Sequence, residues 1–183
     1  MPAPLLVHFV GGTGGRWNVL RNLAVTGPGL DRVDTVDVVE GRHPIDAPSA
    51  AWVLRGVTSN ERYVERAERT ALVERQEPLG RVAATRAALI PITKSSAWWE
   101  LTQDERRAVL ETTSQHIAVG LEYLPAIARR LHHGRDIGAE FDFLTWFEFA
   151  PSDADRFEEL VGRLRQTPEW SYVVREIDIR LER

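Results

Sequence analysis

The sequence predicts an α+β fold whose larger, C-terminal part has the element order of a ferredoxin-like lobe. Residues 141–149 alternate between two faces, which is the period of a β-strand. Phe157, Leu160 and Leu164 then recur at helical spacing, after a capping-box-like start. From residue 51 onward the predicted order is strand, helix, strand, helices, strand, helix, strand, and this order suggests a ferredoxin-like lobe.

The first fifty residues predict strands only. Strand-like runs occupy residues 4–10, 17–25 and 33–39, and Gly-rich or Asp-rich breaks separate them, so we expect a meander or a pair of hairpins. The GGTGG segment at residues 11–15 is too short for a phosphate-binding loop, lacks its Lys and precedes a strand. It therefore predicts a turn.

The middle of the chain predicts two strands and two helices. The strands cover residues 51–57 and 87–93, and one helix runs from an N-cap at Ser59 to about Gln76. The second helix runs from residue 102 or 103 to near residue 116, with acidic residues in its first turn.

A third, shorter helix is predicted after Pro125, ending at Gly134. On that helix His132 and His133 would point about 100° apart, so they could not bind one metal ion from the same face. We interpret both as surface residues near the helix C-terminus. The last predicted element is a strand over residues 170–181.

Composition limits the class of protein. The 183 residues, 43% of them hydrophobic, can bury a core as one domain or as two half-sized lobes. The 23 Lys and Arg against 27 Asp and Glu are scattered along the chain, which argues against nucleic acid as a partner. The sequence has no apolar run of about 20 residues and no signal-peptide pattern, so we expect no membrane partner and a cytoplasmic location.

The absence of Cys limits the chemistry further. It excludes thiolate nucleophiles, iron–sulfur clusters and haem attached through or ligated by a thiolate. Met1 is the only methionine, so a metal ion must use carboxylate oxygen or a histidine nitrogen from His8, His43, His116, His132 or His133.

His116 is a candidate ligand because it shares a predicted helix face with Val109 and Thr112 and so points inward. The pattern alone leaves open a hydrogen-bonded core histidine or a metal ligand. Arg129 lies off the apolar stripe of its predicted helix, and Glu169 follows Pro168 in a predicted loop. Periodicity alone therefore predicts that both charged side chains are solvated.

Two long segments carry a resemblance to a known family. They are SSAWWELTQDERRAVLETTSQHIAVGLEYLPAIARRLHHGRDIGAEFDFLTWFEF and TPEWSYVVREIDIRL, which resemble the short branch of the chlorite dismutase family. The resemblance begins around AWVLRGVTSNERY and runs to the C-terminus. It implies an α+β fold in which two ferredoxin-like lobes, residues 1–50 and 51–183, form a dimeric α+β barrel. The N-terminal lobe is abbreviated, and haem b lies in the C-terminal lobe.

Three residues match the family's central positions. The resemblance implies that His116 is the proximal ligand of the haem iron and therefore the metal-binding residue. Arg129 matches the distal arginine, thirteen positions further on. Glu169 matches the carboxylate that accepts the proximal imidazole proton, which fixes the ring and makes it a stronger donor to iron.

The resemblance also assigns the residues around these three. It implies that Gln76 hydrogen-bonds the distal arginine and that Thr145 and Phe147 line the distal pocket. It further implies contacts with the haem propionates for Lys94, Trp98 and Tyr63. Trp99 is implied to pack near the proximal side.

The implied activity is the haem b-dependent decomposition of chlorite to chloride and dioxygen, with formation of an O–O bond, by a homodimer. Arginine suits this reaction because it stays protonated and offers several donors to an oxyanion. Coproheme decarboxylases share the implied fold and proximal histidine, and a haem-binding or haem-sensing protein is a further alternative. From the residues without the resemblance, the prediction would end at a soluble α+β domain.

Overall fold

The computed structural model describes residues 4–41, 49–58 and 63–183. Within these residues eight antiparallel strands close into a barrel in the order β1-β3-β2-β8-β5-β7-β6-β4. Their bounds are β1 Leu6–Gly12, β2 Trp17–Thr26, β3 Thr35–Glu40, β4 Trp52–Val57, β5 Arg86–Lys94, β6 Ala128–His133, β7 Phe143–Phe149 and β8 Val173–Glu182. The expected α+β barrel is confirmed at this level.

Five α-helices lie in the described part of the chain, all after β4. They are α1 Arg66–Arg75, α2 Ser96–Glu100, α3 Gln103–Arg107, α4 His116–Glu122 and α5 Ala154–Arg165. A π-helical turn, Ala108–Thr113, follows α3 directly. In the described residues no helix has the length and apolar character needed to cross a membrane.

Strand β7 has two buried faces, because it lies between the barrel interior and a layer of helices. Leu144 and Trp146 point inward into a core cluster, and Phe147 and Phe149 point outward toward α5. The predicted alternation is therefore confirmed over Phe143–Phe149, with both faces buried. Phe141, predicted to share the face of Phe147, precedes the strand and packs in the inner cluster with Leu144 and Trp146. The inner cluster also includes Phe9, Trp17, Leu54, Leu89, Ile177 and Ile179.

The predicted C-terminal helix is confirmed as α5, which begins after a short 3-10 turn at Pro151–Asp153. Its apolar stripe is buried against the outer face of the sheet, with Phe157 stacked on Phe149 at a ring-centroid distance of 4.4 Å. Helical spacing thus places one face of α5 on the sheet and the other in solvent.

The N-terminal strands are not a simple meander. The turn predicted at residues 11–15 is confirmed in part, because Gly11 and Gly12 belong to β1 and the chain turns only after them. The two strands that it joins do not pair with each other. Strand β3 lies between β1 and β2 and pairs with both. The N-cap predicted at Ser59 and the candidate ligand His43 lie outside the described residues. The helix predicted to start there begins only at Arg66, with Glu65 as its N-cap.

The helix predicted after Pro125 is wrong. Residues 128–133 form strand β6, which pairs with β7 from Ala128 opposite Glu148 to His133 opposite Phe143. The apolar spacing suited a helix, but hydrogen bonding to the edge of β7 decided the conformation, since a short segment has little intrinsic preference.

His132 and His133 are therefore not surface residues, being 1% and 7% exposed. The His132 side chain lies inside the barrel, with Nδ1 at 3.0 Å from the Leu144 carbonyl oxygen. Burial lowers the pKa of His132 to about 4.

The contact of α5 with the sheet gives a first test. Leu160 is 1% exposed, so Leu160→Ala should lower the free energy of unfolding by about 2–5 kcal/mol, measured by urea denaturation. Glu159→Ala, at an exposed neighbouring position, is the control and should stay within about 0.5 kcal/mol of the wild type. Equal effects of the two substitutions would contradict the packing described here.

Candidate functional site

His116 is the first residue of α4, not the last residue of a longer helix. The helix predicted over residues 102–116 is interrupted by the π-helical turn and by Gln115, which has a left-handed φ of 52°. The inferred shared face with Val109 and Thr112 is therefore wrong, because it required one continuous helix. Pattern analysis counts 3.6 residues per turn and does not detect a widened turn.

A carboxylate that sequence reasoning missed fixes the start of α4. Glu111 lies in the π-helical turn, and its two carboxylate oxygens accept hydrogen bonds from the N–H groups of Ile117 at 2.7 Å and Ala118 at 3.2 Å. A negative charge at this end also complements the helix dipole. Glu111 thereby holds the helix turn that carries His116.

The His116 ring is oriented by a buried carboxylate, as the resemblance implied. Its Nδ1 lies 2.7 Å from Oε2 of Glu169, and Oε1 of the same carboxylate lies 2.7 Å from the Lys94 ammonium. Burial by itself would raise the pKa of Glu169, but His116 and Lys94 outweigh it and lower the pKa to about 2. An ionised Glu169 accepts the Nδ1 proton and leaves Nε2 as the nitrogen able to bind a metal ion.

The rest of this carboxylate's surroundings come from three further elements. The Glu169 backbone N–H donates to the Ser114 hydroxyl at 3.0 Å. Lys94 is 4% exposed, and its ammonium lies 4.5 Å from the centroid of the Trp98 ring. Burial lowers the pKa of Lys94, while Glu169 opposes that shift. The structure directs Lys94 to Glu169, so its implied contact with a propionate stays a prediction.

Arg129 lies on the outer face of β6 and is half-buried, which corrects its predicted solvation. Its guanidinium reaches α4: a Cβ atom built on Gly120 would lie 2.3 Å from Nη1 of Arg129. In the described part of the chain no carboxylate forms an ion pair with Arg129, and burial lowers the pKa of the guanidinium. An arginine remains protonated despite such a shift, so its charge is available to an anion.

Three predicted distal residues lie close to Arg129. Gln76 follows the last residue of α1 and donates a hydrogen bond from Nε2 to the Arg129 backbone oxygen at 2.9 Å. It thus contacts the main chain of the arginine rather than the guanidinium. Phe147 is the direct β7 partner of Arg129, and Thr145 is the partner of Leu131 on the same face.

Trp98 and Tyr63 form a second group beside Lys94. Trp98 is 2% exposed, and its indole Nε1 has no hydrogen-bond partner among the described residues. Tyr63 contacts it edge-on at a centroid distance of 6.5 Å. Trp99 points elsewhere: it stacks on Phe143 at 5.9 Å and donates from Nε1 to Asp142 at 3.2 Å.

These contacts define the class of the site. It is an imidazole whose Nε2 can bind a metal ion, backed by a buried carboxylate and accompanied by an arginine that can bind an anion. The family model described as chlorite dismutase matches residues 42–181. The chain belongs to the chlorite dismutase family.

Individual relatives agree with this assignment. Dimeric chlorite dismutase from Nitrobacter winogradskyi is 56% identical, with a TM-score of 0.90 over 97% of this chain and 99% of that one. A chlorite dismutase from Ideonella dechloratans is 35% identical over 89 residues, which are 49% of this chain and 29% of the relative's length. A mutant chlorite dismutase from Candidatus Nitrospira defluvii, 19% identical, has the same fold with a TM-score of 0.73 over 98% of this chain and 91% of that one.

The lowered pKa of Glu169 predicts a pH dependence of stability. A carboxyl whose folded pKa is about 2 against an ordinary 4.5 stabilises the fold above pH 4.5 and loses that contribution as the pH falls toward 2. The wild type should therefore be more stable than Glu169→Gln at neutral pH, with the difference shrinking through this window. Urea denaturation at a series of pH values measures it, and a difference that stays constant would contradict the ion pairs.

Proposed function

We propose that the protein is a haem b-dependent chlorite dismutase that decomposes chlorite to chloride and dioxygen. The observation that supports this best is the pairing of His116, with Nε2 left free by Glu169, and Arg129, a half-buried cation without a carboxylate partner in the described residues. Family membership supports the same activity. The haem would lie in residues 51–183, as the C-terminal ferredoxin-like lobe, with residues 1–50 as the abbreviated lobe.

The residues present fit a haem group. His116 offers Nε2 as the iron ligand, and the buried indole Nε1 of Trp98 is a donor without a partner in the part of the chain that the structure describes, as a propionate carboxylate needs. Gly120 places no side chain between α4 and β6, where the three atoms nearest to a Cβ built on Gly120 all belong to Arg129. Leu131, on the outer face of β6, is 43% exposed and offers apolar surface to a porphyrin.

When bound, haem supplies the iron that exchanges oxygen atoms with chlorite. The chain itself contributes in two ways: it orients the His116 ligand and it binds the anionic substrate. Glu169 and Lys94 hold the His116 ring in one orientation and keep its Nδ1 proton engaged, which increases electron donation by Nε2. The Arg129 guanidinium binds the oxyanion, and Phe147 excludes water and so strengthens that attraction.

We infer that the active form is a homodimer, because the relative with 56% identity is described as dimeric. The cytoplasmic location expected from the sequence stays a prediction. Tyr63 stays a predicted propionate contact, through its position beside Trp98.

The activity is tested by measuring dioxygen release, with an oxygen electrode, when chlorite is added to the haem-loaded protein. Arg129→Ala should keep haem but lose about 10²-fold or more in turnover, since one charge-stabilising donor is removed. Arg130→Ala is the matched control, because Arg130 is the next residue of β6 but pairs with Glu40 at 2.7 Å. It should keep wild-type turnover. Haem binding without dioxygen release would contradict the proposal and favour a coproheme decarboxylase or a haem sensor.

The ligand assignment is tested by His116→Gly. This variant should lose the haem absorption band of the wild type, because it removes Nε2 from the site. Added imidazole should restore part of the band by entering the space of the missing ring. An unchanged spectrum without imidazole would overturn His116 as the ligand.

A further inference from the structure

Gly120 has no conformational reason to be glycine. It lies inside α4, it is buried, and its φ is not in the left-handed region. Glycine within a helix costs about 0.5–1 kcal/mol relative to alanine. In a helix of seven residues the glycine must therefore be explained by the packing around it, because its backbone dihedral angles do not require it.

The space around Gly120 supplies that explanation. The three atoms nearest to a Cβ built there all belong to Arg129: Nη1 at 2.3 Å, Nη2 at 2.8 Å and Cζ at 2.9 Å. Distances below 3 Å are incompatible with a real side-chain carbon, so even alanine requires Arg129 to move. Backbone and guanidinium are in contact because the side chain is absent.

Gly120 also shares a helix face with the candidate iron ligand. It is four residues after His116, so the two positions lie one above the other on the side of α4 that Arg129 reaches. A flat group bound by the His116 imidazole would lie on that same side of α4. A methyl group at position 120 would reduce the space available to it.

We propose that Gly120 is a cofactor-positioning residue: its missing side chain sets the clearance between α4 and β6 that a porphyrin bound by His116 requires. This inference rests on the proposed haem site but concerns a residue outside the ligand and anion-binding set. On this proposal the missing side chain of Gly120 makes room for the porphyrin beside α4. Making room for the Arg129 guanidinium is not its only role.

The test is the rate of haem loss from haem-loaded protein to an excess of a haem-scavenging protein. Gly120→Ala should lose haem about tenfold faster than the wild type, as expected for a modest overlap in a packed site. Gly162→Ala is the matched control, a glycine in α5 where an added Cβ meets nothing within 4 Å. It should release haem at the wild-type rate.

A second background separates the cofactor from the arginine. Arg129→Ala removes all three atoms nearest to the built Cβ, so Gly120→Ala can be accommodated there without strain on the guanidinium. The double variant should still lose haem about tenfold faster than Arg129→Ala alone. Equal rates would show that Gly120 serves only the arginine and would overturn the inference.

The remaining outcomes are also decisive. Wild-type haem retention in Gly120→Ala would overturn the inference while leaving the chlorite dismutase proposal intact, provided that the wild type releases dioxygen. A Gly120→Ala protein whose circular dichroism differs from that of Gly162→Ala would show a folding defect and would also overturn it. If the wild type itself binds no haem, the proposed function fails instead.

Discussion

The carboxylate of Glu169 is the point on which the site's geometry depends. It is 4% exposed and joins the start of α4, through His116, to the end of β5, through Lys94. A buried charge that loses a partner is strongly destabilising, by about 3–5 kcal/mol, so these ion pairs constrain all three groups at once. The imidazole is therefore held in one orientation by electrostatics as well as by packing, and the resulting pKa of about 2 for Glu169 keeps the carboxylate ionised across the physiological range.

The buried Lys94 and the half-buried Arg129 differ in a way that suggests their roles. Lys94 is neutralised by Glu169, whereas Arg129 has no carboxylate partner among the described residues. Burying an unpaired charge is unfavourable, and a sequence under selection for stability alone would pair it or replace it. A bound anion removes that cost. The asymmetry explains why the arginine fits an anionic substrate while the lysine belongs to the support of the histidine.

Sequence reasoning succeeded where one rule controlled the structure and failed where two competed. The alternation over residues 143–149 and the stripe of α5 were predicted because packing on the sheet enforces both periods. The apolar spacing after Pro125 also suited a helix, but pairing with β7 made that segment a strand. The π-helical turn and the left-handed Gln115 left no signal in the spacing of residues.

Arg129 and Glu169 were found through the family resemblance, because their burial depends on contacts distant in sequence. Glu111 and Gly120 were missed because neither helix capping from a preceding turn nor the absence of a side chain produces a periodic signal in the sequence.

The two faces of β6 and β7 have different roles, one in the barrel core and one in the site, which explains how a small barrel carries such a site. The inner faces hold Leu144 and Trp146 in the barrel core, which fixes the strands. The outer faces then present Arg129 and Phe147 to the helices at positions set by strand register. Because the core holds the backbone, a charged arrangement on the outside does not have to stabilise itself. A one-residue slip of β6 would exchange Arg129 with its neighbours and bury the cation in the barrel. The pairing of β6 with β7, which made the helix prediction wrong, is thus the same interaction that directs the Arg129 side chain toward α4.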